Sequence, residues 1–222
     1  MKVLGVLGSP HPQGNTVLLL DAVLAGAAAA GAETEKINLA GLTLDYCVGC
    51  GRCYSVGECF HDDDVETIKE KMAAAAGIVL ASPNYINSVT AQFKTLMDRC
   101  SLQIHCRMWQ GKYGAAVATA GGSGEDEVAE YANHFLRICG AQTVGMATAK
   151  AAGVGALQDQ DAALARAEAL GRDLMAAIAE QRVYPDQVAA AALFTERMKQ
   201  LVLHMAEHAP FQYDYWEKMG WL

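Results

Sequence analysis

Short strand-like apolar runs alternate with helical stretches along the first two-thirds of the chain, the pattern of an α/β protein built on a parallel sheet. The pattern predicts strands over residues 2–7, 33–37, 77–81, 113–118 and 143–147. Helices are predicted over 15–30, 65–76, 90–106 and 125–139, with Asp64 as the N-cap of the second. Five such strands fit a doubly wound sheet of order 2-1-3-4-5. Residues 1–150 form that domain. Residues 151–222 read as a helical extension, with helices over 157–181 and 187–206, and Pro185 stops the first of them.

The extension ends in Phe211, Tyr213, Tyr215, Trp216 and Trp221, five aromatics within eleven residues. That density predicts a subunit contact and hence a homodimer or homotetramer, because aromatic anchors concentrate in interfaces.

Composition narrows the partners. An apolar fraction of 52% with 19% charge describes a packed interior. The net charge of −8 disfavours nucleic acid and anionic membranes. No apolar run approaches the roughly 18–20 residues that span a bilayer. The amino terminus opens directly into a strand, without the charged n-region of a secretory signal, so a cytoplasmic location is expected.

Cysteines supply the first candidate chemistry. Cys47, Cys50, Cys53 and Cys59 lie within thirteen residues as Cys-x2-Cys-x2-Cys-x5-Cys, with Gly49, Gly51 and Gly57 loosening the backbone between them. One [4Fe–4S] cluster is the sharpest reading of four thiols on a tightly bent loop. Structural zinc remains open, although it more often uses two separated Cys pairs. Thiols that hold no metal also remain open, whereas disulfides and a dithiol redox pair fit the loop poorly. Cys100, Cys106 and Cys139 fall in helical stretches and read as buried thiols. Asp62, Asp63 and Asp64 read as an acidic run at a helix start. His61 and His105 read as ordinary surface or helix residues.

Three loops leave the carboxyl ends of strands one, three and four. The first, from Gly8 to Thr16, offers side-chain donors at Ser9, Asn15 and Thr16, close backbone approach at Gly14, and free N–H groups at a helix start, with His11 lining the turn. It has neither the lysine of a P-loop nor a dinucleotide glycine fingerprint, so a monophosphate is favoured. The second runs from Ser82 to Val89 through Pro83, Asn84, Tyr85 and Ile86, where Tyr85 can stack on a planar ring. The third carries Thr119, Gly121, Gly122 and Gly124. The three loops converge at the switch point of the sheet.

The motifs Gly8-Ser-Pro through Gly14-Asn-Thr16, the four cysteines with their following Asp-Asp pair, Ser82-Pro-x-Tyr85, Phe93-Lys and Asp98-Arg99 together resemble the iron–sulfur flavoproteins of the NADPH-dependent FMN reductase branch of the flavodoxin-like superfamily. The resemblance covers residues 1–149 and extends to the aromatic tail. It implies that Ser9, Gln13, Asn15 and Thr16 hold the phosphate of FMN. It further implies that Pro83, Asn84, Tyr85 and Ile86 with Gly121 and Gly122 lie against the ring, and that Cys47, Cys50, Cys53 and Cys59 ligate a [4Fe–4S] cluster close to the flavin. The chain departs from many relatives over Asn84, Tyr85, Ile86 and Asn87, where asparagine in place of glycine must carry the turn.

The resulting expectation is an FMN-dependent redox protein that takes electrons from a ferredoxin-like donor and passes them to a small acceptor such as oxygen, peroxide or a quinone. The alternatives are an NAD(P)H-dependent reductase with direct hydride transfer, and a zinc- or flavin-binding module. No side chain is expected to act as a conventional catalytic acid or base.

Overall fold

A computed structural model describes residues 1–222. Strands β1 (Lys2–Leu7), β2 (Glu33–Asn38), β3 (Gly77–Pro83), β4 (Tyr113–Ala120) and β5 (Gln142–Gly153) pair in parallel in the order β2-β1-β3-β4-β5. A sixth strand, β6 (Ala156–Leu157), pairs antiparallel with β5 at the edge. The expected five-stranded sheet is therefore six-stranded. The difference arises in β5, which runs past its expected end at residue 147 because Thr119 and Ala120 of β4 hold Ala149 and Lys150 in register. Alanine and lysine are weak strand formers, so neighbour pairing overrides local preference there.

The strands bury both faces, as covered parallel strands do. Leu4, Val6, Ile78 and Leu80 face one core, closed by α3 (Val65–Ala74), α4 (Ala91–Arg99) and α6 (Glu125–Ile138). Val3, Leu7, Val79 and Ala81 face the other, closed by α1 (Asn15–Ala29) and α7 (Gln160–Glu180). The helix expected over 90–106 is two pieces, α4 and α5 (Ser101–His105), parted at Cys100.

Helices α1 and α7 meet backbone to backbone. A Cβ added at Gly171 would lie 1.9 Å from the Val23 carbonyl oxygen, and one at Gly26 would lie 2.0 Å from that of Glu168. Neither obstacle is a flexible side chain. Gly171→Ala is accordingly expected to destabilise the fold by about 3 kcal/mol, at the upper end of overpacking costs. Chemical denaturation measures it, and an unchanged midpoint would mean the two backbones do not touch.

Pro185 does not stop α7, contrary to expectation, because that helix already ends at Gln181 in the left-handed region. It is the first residue of α8 (Pro185–His204), where its fixed φ and missing N–H cost nothing. The aromatic tail forms α9 (Pro210–Lys218) and packs on its own chain. Trp216 is fully buried with Leu102, Cys106, Met198 and Val202, donates from Nε1 to the His105 carbonyl at 2.9 Å, and meets Trp221 edge-on. Trp216 is thus spent within its own chain, whereas Phe211, Tyr213, Tyr215 and Trp221 stay half-buried and open to the subunit contact expected of a homodimer or homotetramer.

Candidate functional site

The first, second and third loops meet over the carboxyl ends of β1, β3 and β4. Thr90, fully buried and the N-cap of α4, fastens two of them: its hydroxyl donates to the Gly8 carbonyl at 2.6 Å, and its N–H donates to Ser82 Oγ at 3.1 Å. The hydroxyls of Thr16 and Thr119 share a buried hydrogen bond of 2.7 Å, which ties the start of α1 to the end of β4. Asn84 joins the second loop to the third, with its N–H on the Thr119 carbonyl and its Nδ2 on the Ser123 carbonyl, both at 2.7 Å. A Cβ at Gly124, which sits at φ +86°, would fall 2.4 Å from Asn84 Nδ2.

These loops enclose a cavity of about 560 Å³, a size suited to a cofactor. The structure places Ser9, His11, Gln13, Gly14, Asn15 and Thr16 along one side of it, with Pro83, Asn84, Tyr85, Thr119 and Gly121 along the others. Ile86 and Gly122 do not line it. Ile86 is 96% exposed and, with Asn87, occupies the left-handed region at φ +51° and +57°. Tyr85 and Ser88 exchange backbone hydrogen bonds across that pair, the arrangement of a type I′ turn. Asn87 sustains its left-handed backbone as expected. Ile86 pays for the same conformation with a branched side chain, which turns it out of the cavity and into solvent.

Helix α1 starts at the cavity with no side-chain cap, so its free N–H groups and positive dipole end are available to an anion. Asn15 donates from Nδ2 to the Gly153 carbonyl at 2.9 Å and leaves a buried Oδ1 without a partner. The free N–H groups suit the phosphate of a mononucleotide, while the Oδ1 of Asn15 calls for a donor from a ligand or water, and Pro83, Asn84, Tyr85 and Gly121 offer a wall for a flat ring. The β5–β6 hairpin, through Gly153, Val154 and Gly155, completes the cavity. Sequence reasoning missed this hairpin, and the available signal was Gly-Val-Gly between an apolar run and a helix.

Replacing Asn15 and Thr16 together by alanine is expected to weaken FMN binding by well over tenfold, because hydrogen bonds to a charged group are worth about 1.5–3 kcal/mol each. Fluorescence titration of apoprotein checks this, and undiminished affinity would remove both side chains from the phosphate seat.

The cysteine loop folds over a second cavity, of about 150 Å³, lined by all four of Cys47, Cys50, Cys53 and Cys59. A five-residue helix that sequence reasoning did not foresee, α2 (Arg52–Val56), carries Cys53. Gly51 and Gly57 flank it at φ +73° and +84°, and Gly49 sits at +65°, so the chain bends through positions open to glycine. Burial pushes the Cys53 thiol up, and the nearby Lys69 ammonium offsets only part of that rise. No three Cys, His, Asp or Glu side chains are grouped closely enough to grip a single ion.

The loop is anchored by a buried ion pair. Arg99 Nη1 and Nη2 donate to the two oxygens of Asp63 at 2.7 and 3.1 Å, and both side chains are essentially sealed from solvent. Nη1 also donates to the Asp45 carbonyl at 2.8 Å, while Asp63 accepts from the N–H groups of Asp45 and Val65. The residue two before Cys47 and the residue four after Cys59 are thereby held on one guanidinium. Burial alone would raise the Asp63 carboxyl, but Arg99 and the two N–H donors together hold it below the usual carboxylate range. The acidic run is therefore a loop clamp. Asp64 makes no side-chain cap, and its carboxylate accepts from the Thr43 N–H instead.

His105 is also more than an ordinary helix residue: it stacks on Tyr54 at 4.4 Å and meets Gln212 at 3.2 Å, and burial depresses its pKa against the opposing Gln212 bond. Cys100 and Cys106 are buried thiols pushed up to about 12 by burial, and Cys139 is buried too, as expected.

A parallel sheet with a switch-point cavity, an uncapped helix end facing it and a cysteine-lined cavity beside it defines a mononucleotide-binding α/β protein of flavodoxin type. The model of the NADPH-dependent FMN reductase family matches residues 1–154. An iron–sulfur flavoprotein of Archaeoglobus fulgidus is 34% identical over 227 residues, covering 100% of both chains. Another, from Methanocaldococcus jannaschii, is 44% identical over 140 residues, covering 61% of this chain and 72% of its own length. A solved flavodoxin from the domain Archaea superposes with a TM-score of 0.53 at 20% identity, over 80% of this chain and 99% of that one, which speaks to the fold. The chain belongs to the NADPH-dependent FMN reductase family, among its iron–sulfur flavoproteins, and is an FMN-dependent oxidoreductase.

Proposed function

We propose that this oxidoreductase passes electrons between a ferredoxin-like donor and a small acceptor such as oxygen, peroxide or a quinone, using FMN in the larger cavity and a [4Fe–4S] cluster held by Cys47, Cys50, Cys53 and Cys59. The observation that carries this reading is the convergence of all four thiols on one cavity.

Helix α4 links the two cavities. Its N-cap Thr90 grips Gly8 beneath the flavin loops, and its last residue, Arg99, lines the cysteine cavity. Nine residues at 1.5 Å each put those ends about 13 Å apart. Bound FMN can take up two electrons together and release them singly, and an iron–sulfur cluster carries one at a time. The chain's own part is to hold the phosphate at the start of α1, to wall the ring with the second and third loops, and to place the cations Lys69 and Arg99 beside the thiolates.

A second reading, direct hydride transfer from NAD(P)H, is supported by the family's name and by Tyr85, which is 43% exposed at the cavity rim and leaves room for a nicotinamide. Anaerobic stopped-flow reduction separates the two. Reduced ferredoxin is expected to bleach the flavin faster than NADPH or NADH does. Faster reduction by the nicotinamide would overturn the electron-carrier reading in favour of the reductase.

A further inference from the structure

A third cavity, of about 380 Å³, opens at the amino ends of the strands, opposite the candidate flavin cavity. It lies by Gly111, just ahead of β4, and Gln142, the first residue of β5, and is closed by the end of α6 and the first turns of α8. None of its lining residues is acidic, although the whole chain carries a net charge of −8. Two arginines, Arg107 and Arg137, line it instead, although Arg137 already meets the exposed Glu130 carboxylate through Nη2 and the Thr143 hydroxyl through Nη1.

Arg107 is the unusual one. It is 4% exposed, and the other buried arginine, Arg99, has Asp63 opposite it. Arg107 has no such carboxylate: its Nη1 donates to the Ala191 carbonyl at 2.8 Å and to the Thr195 hydroxyl at 2.6 Å, and its Nε is buried without any partner. The Phe194 ring, 5.8 Å from the guanidinium carbon, gives it a partial cushion. A buried charge without a counter-ion is costly and is ordinarily paired.

The backbone is also shaped to place it. Arg107 holds a left-handed φ of +46°, and a Cβ at the facing Gly140 would lie 2.8 Å from the Arg107 carbonyl oxygen. A strained backbone at a charged residue needs surroundings that enforce it. The Arg107–α8 bonds explain one nitrogen of the guanidinium, and leave both its charge and the acid-free cavity beside it unexplained.

We propose that this cavity binds a small organic anion, with a carboxylate or phosphate head paired to Arg107, the Glu130-paired Arg137 at its side, and an apolar body against Ile138, Val188 and Phe194. Guanidinium groups recognise both heads through paired N–H donors. The site is separate from the flavin seat, so its ligand acts on the chain from outside the redox centre and bridges α8 to the sheet.

The test uses FMN-loaded protein, so that the flavin phosphate seat is filled, with benzoate and phenyl phosphate as probes at ionic strength matched by sodium chloride. Calorimetry should show saturable one-to-one binding of at least one probe, and the Arg107 Nε–H resonance should shift with it. A response to benzoate alone identifies a carboxylate ligand, and a response to phenyl phosphate alone a phosphate. Arg107→Gln should weaken binding by about tenfold or more. Should that variant fail to fold, Ala190→Glu decides, because it sets a carboxylate on an exposed position of the cavity wall: it should abolish probe binding and leave flavin content unchanged. No saturable binding of either probe, or binding that survives in the folded variants, would overturn the proposal.

Discussion

Arg99→Met is expected to lower stability by about 3–5 kcal/mol, the cost of leaving one member of a buried ion pair without its partner. Asp63 would remain sealed from solvent with its charge unopposed, and the Asp45 carbonyl would lose its donor. For a domain of this size each kcal/mol moves the melting temperature by roughly 2–4 °C, so a fall of about 10 °C is expected. Asp63→Asn keeps the shape and an acceptor for the Asp45 N–H, yet strands the guanidinium. The double variant Arg99→Met/Asp63→Leu should recover part of the loss, because a buried pair exchanged for apolar residues leaves no naked charge.

The acid limb follows from the same contact. The folded carboxyl of Asp63 lies below its ordinary value, so its contribution is fully present above the unfolded pKa near 4 and is lost as pH falls through the lower folded value. Wild type should therefore lose more stability than Asp63→Asn on going from about pH 5 toward pH 2. Urea midpoints across that range check the sign. Equal slopes in both proteins would show that the clamp does not titrate with folding.

The legible parts of this molecule are those written in local pattern. Strands β1 and β4 announce themselves as apolar runs, and Gly14-Asn15-Thr16 after the first run announces a helix start with donors around it. The four cysteines are close in sequence and remain close in space. The Arg99–Asp63 clamp was not legible as physics: its partners stand 36 residues apart, and a charge pair at that separation leaves no periodicity to read. The motifs carrying the family resemblance include both residues without saying that they meet. Cys100 parts α4 from α5 with no proline or glycine to mark the break, since packing on both sides decides it. The aromatic tail reads ambiguously because the same residues that anchor interfaces also fill a satellite core, and the contact of Trp216 with Cys106 and Met198 assigns that one ring to the core.

Independent loading of the two cofactors is the expected result with the largest spectroscopic effect. The thiols stand on the loop after β2, whereas the phosphate seat stands at the start of α1, and no cysteine of the four lines the larger cavity. Cys50→Ser or Cys53→Ser replaces a soft thiolate by a hard hydroxyl, which ligates iron poorly. Each variant should lose its iron and sulfide, about four of each per chain in reconstituted wild type, while retaining FMN at full occupancy. Its flavin should then resist a ferredoxin-type donor, and direct reduction by NADPH should persist or quicken. Cys53 sits inside α2, whose end packs near the tail, with Ser55 Oγ donating to the His208 carbonyl at 2.9 Å. Cys50 is exposed and lies outside α2. Any folding defect should therefore appear in the Cys53 variant alone, and the Cys50 variant isolates the metal effect. Stoichiometric zinc without iron in wild type would refute the cluster, and unaltered ferredoxin-linked reduction in an iron-free Cys50→Ser protein would confine the cysteine cavity to a structural part.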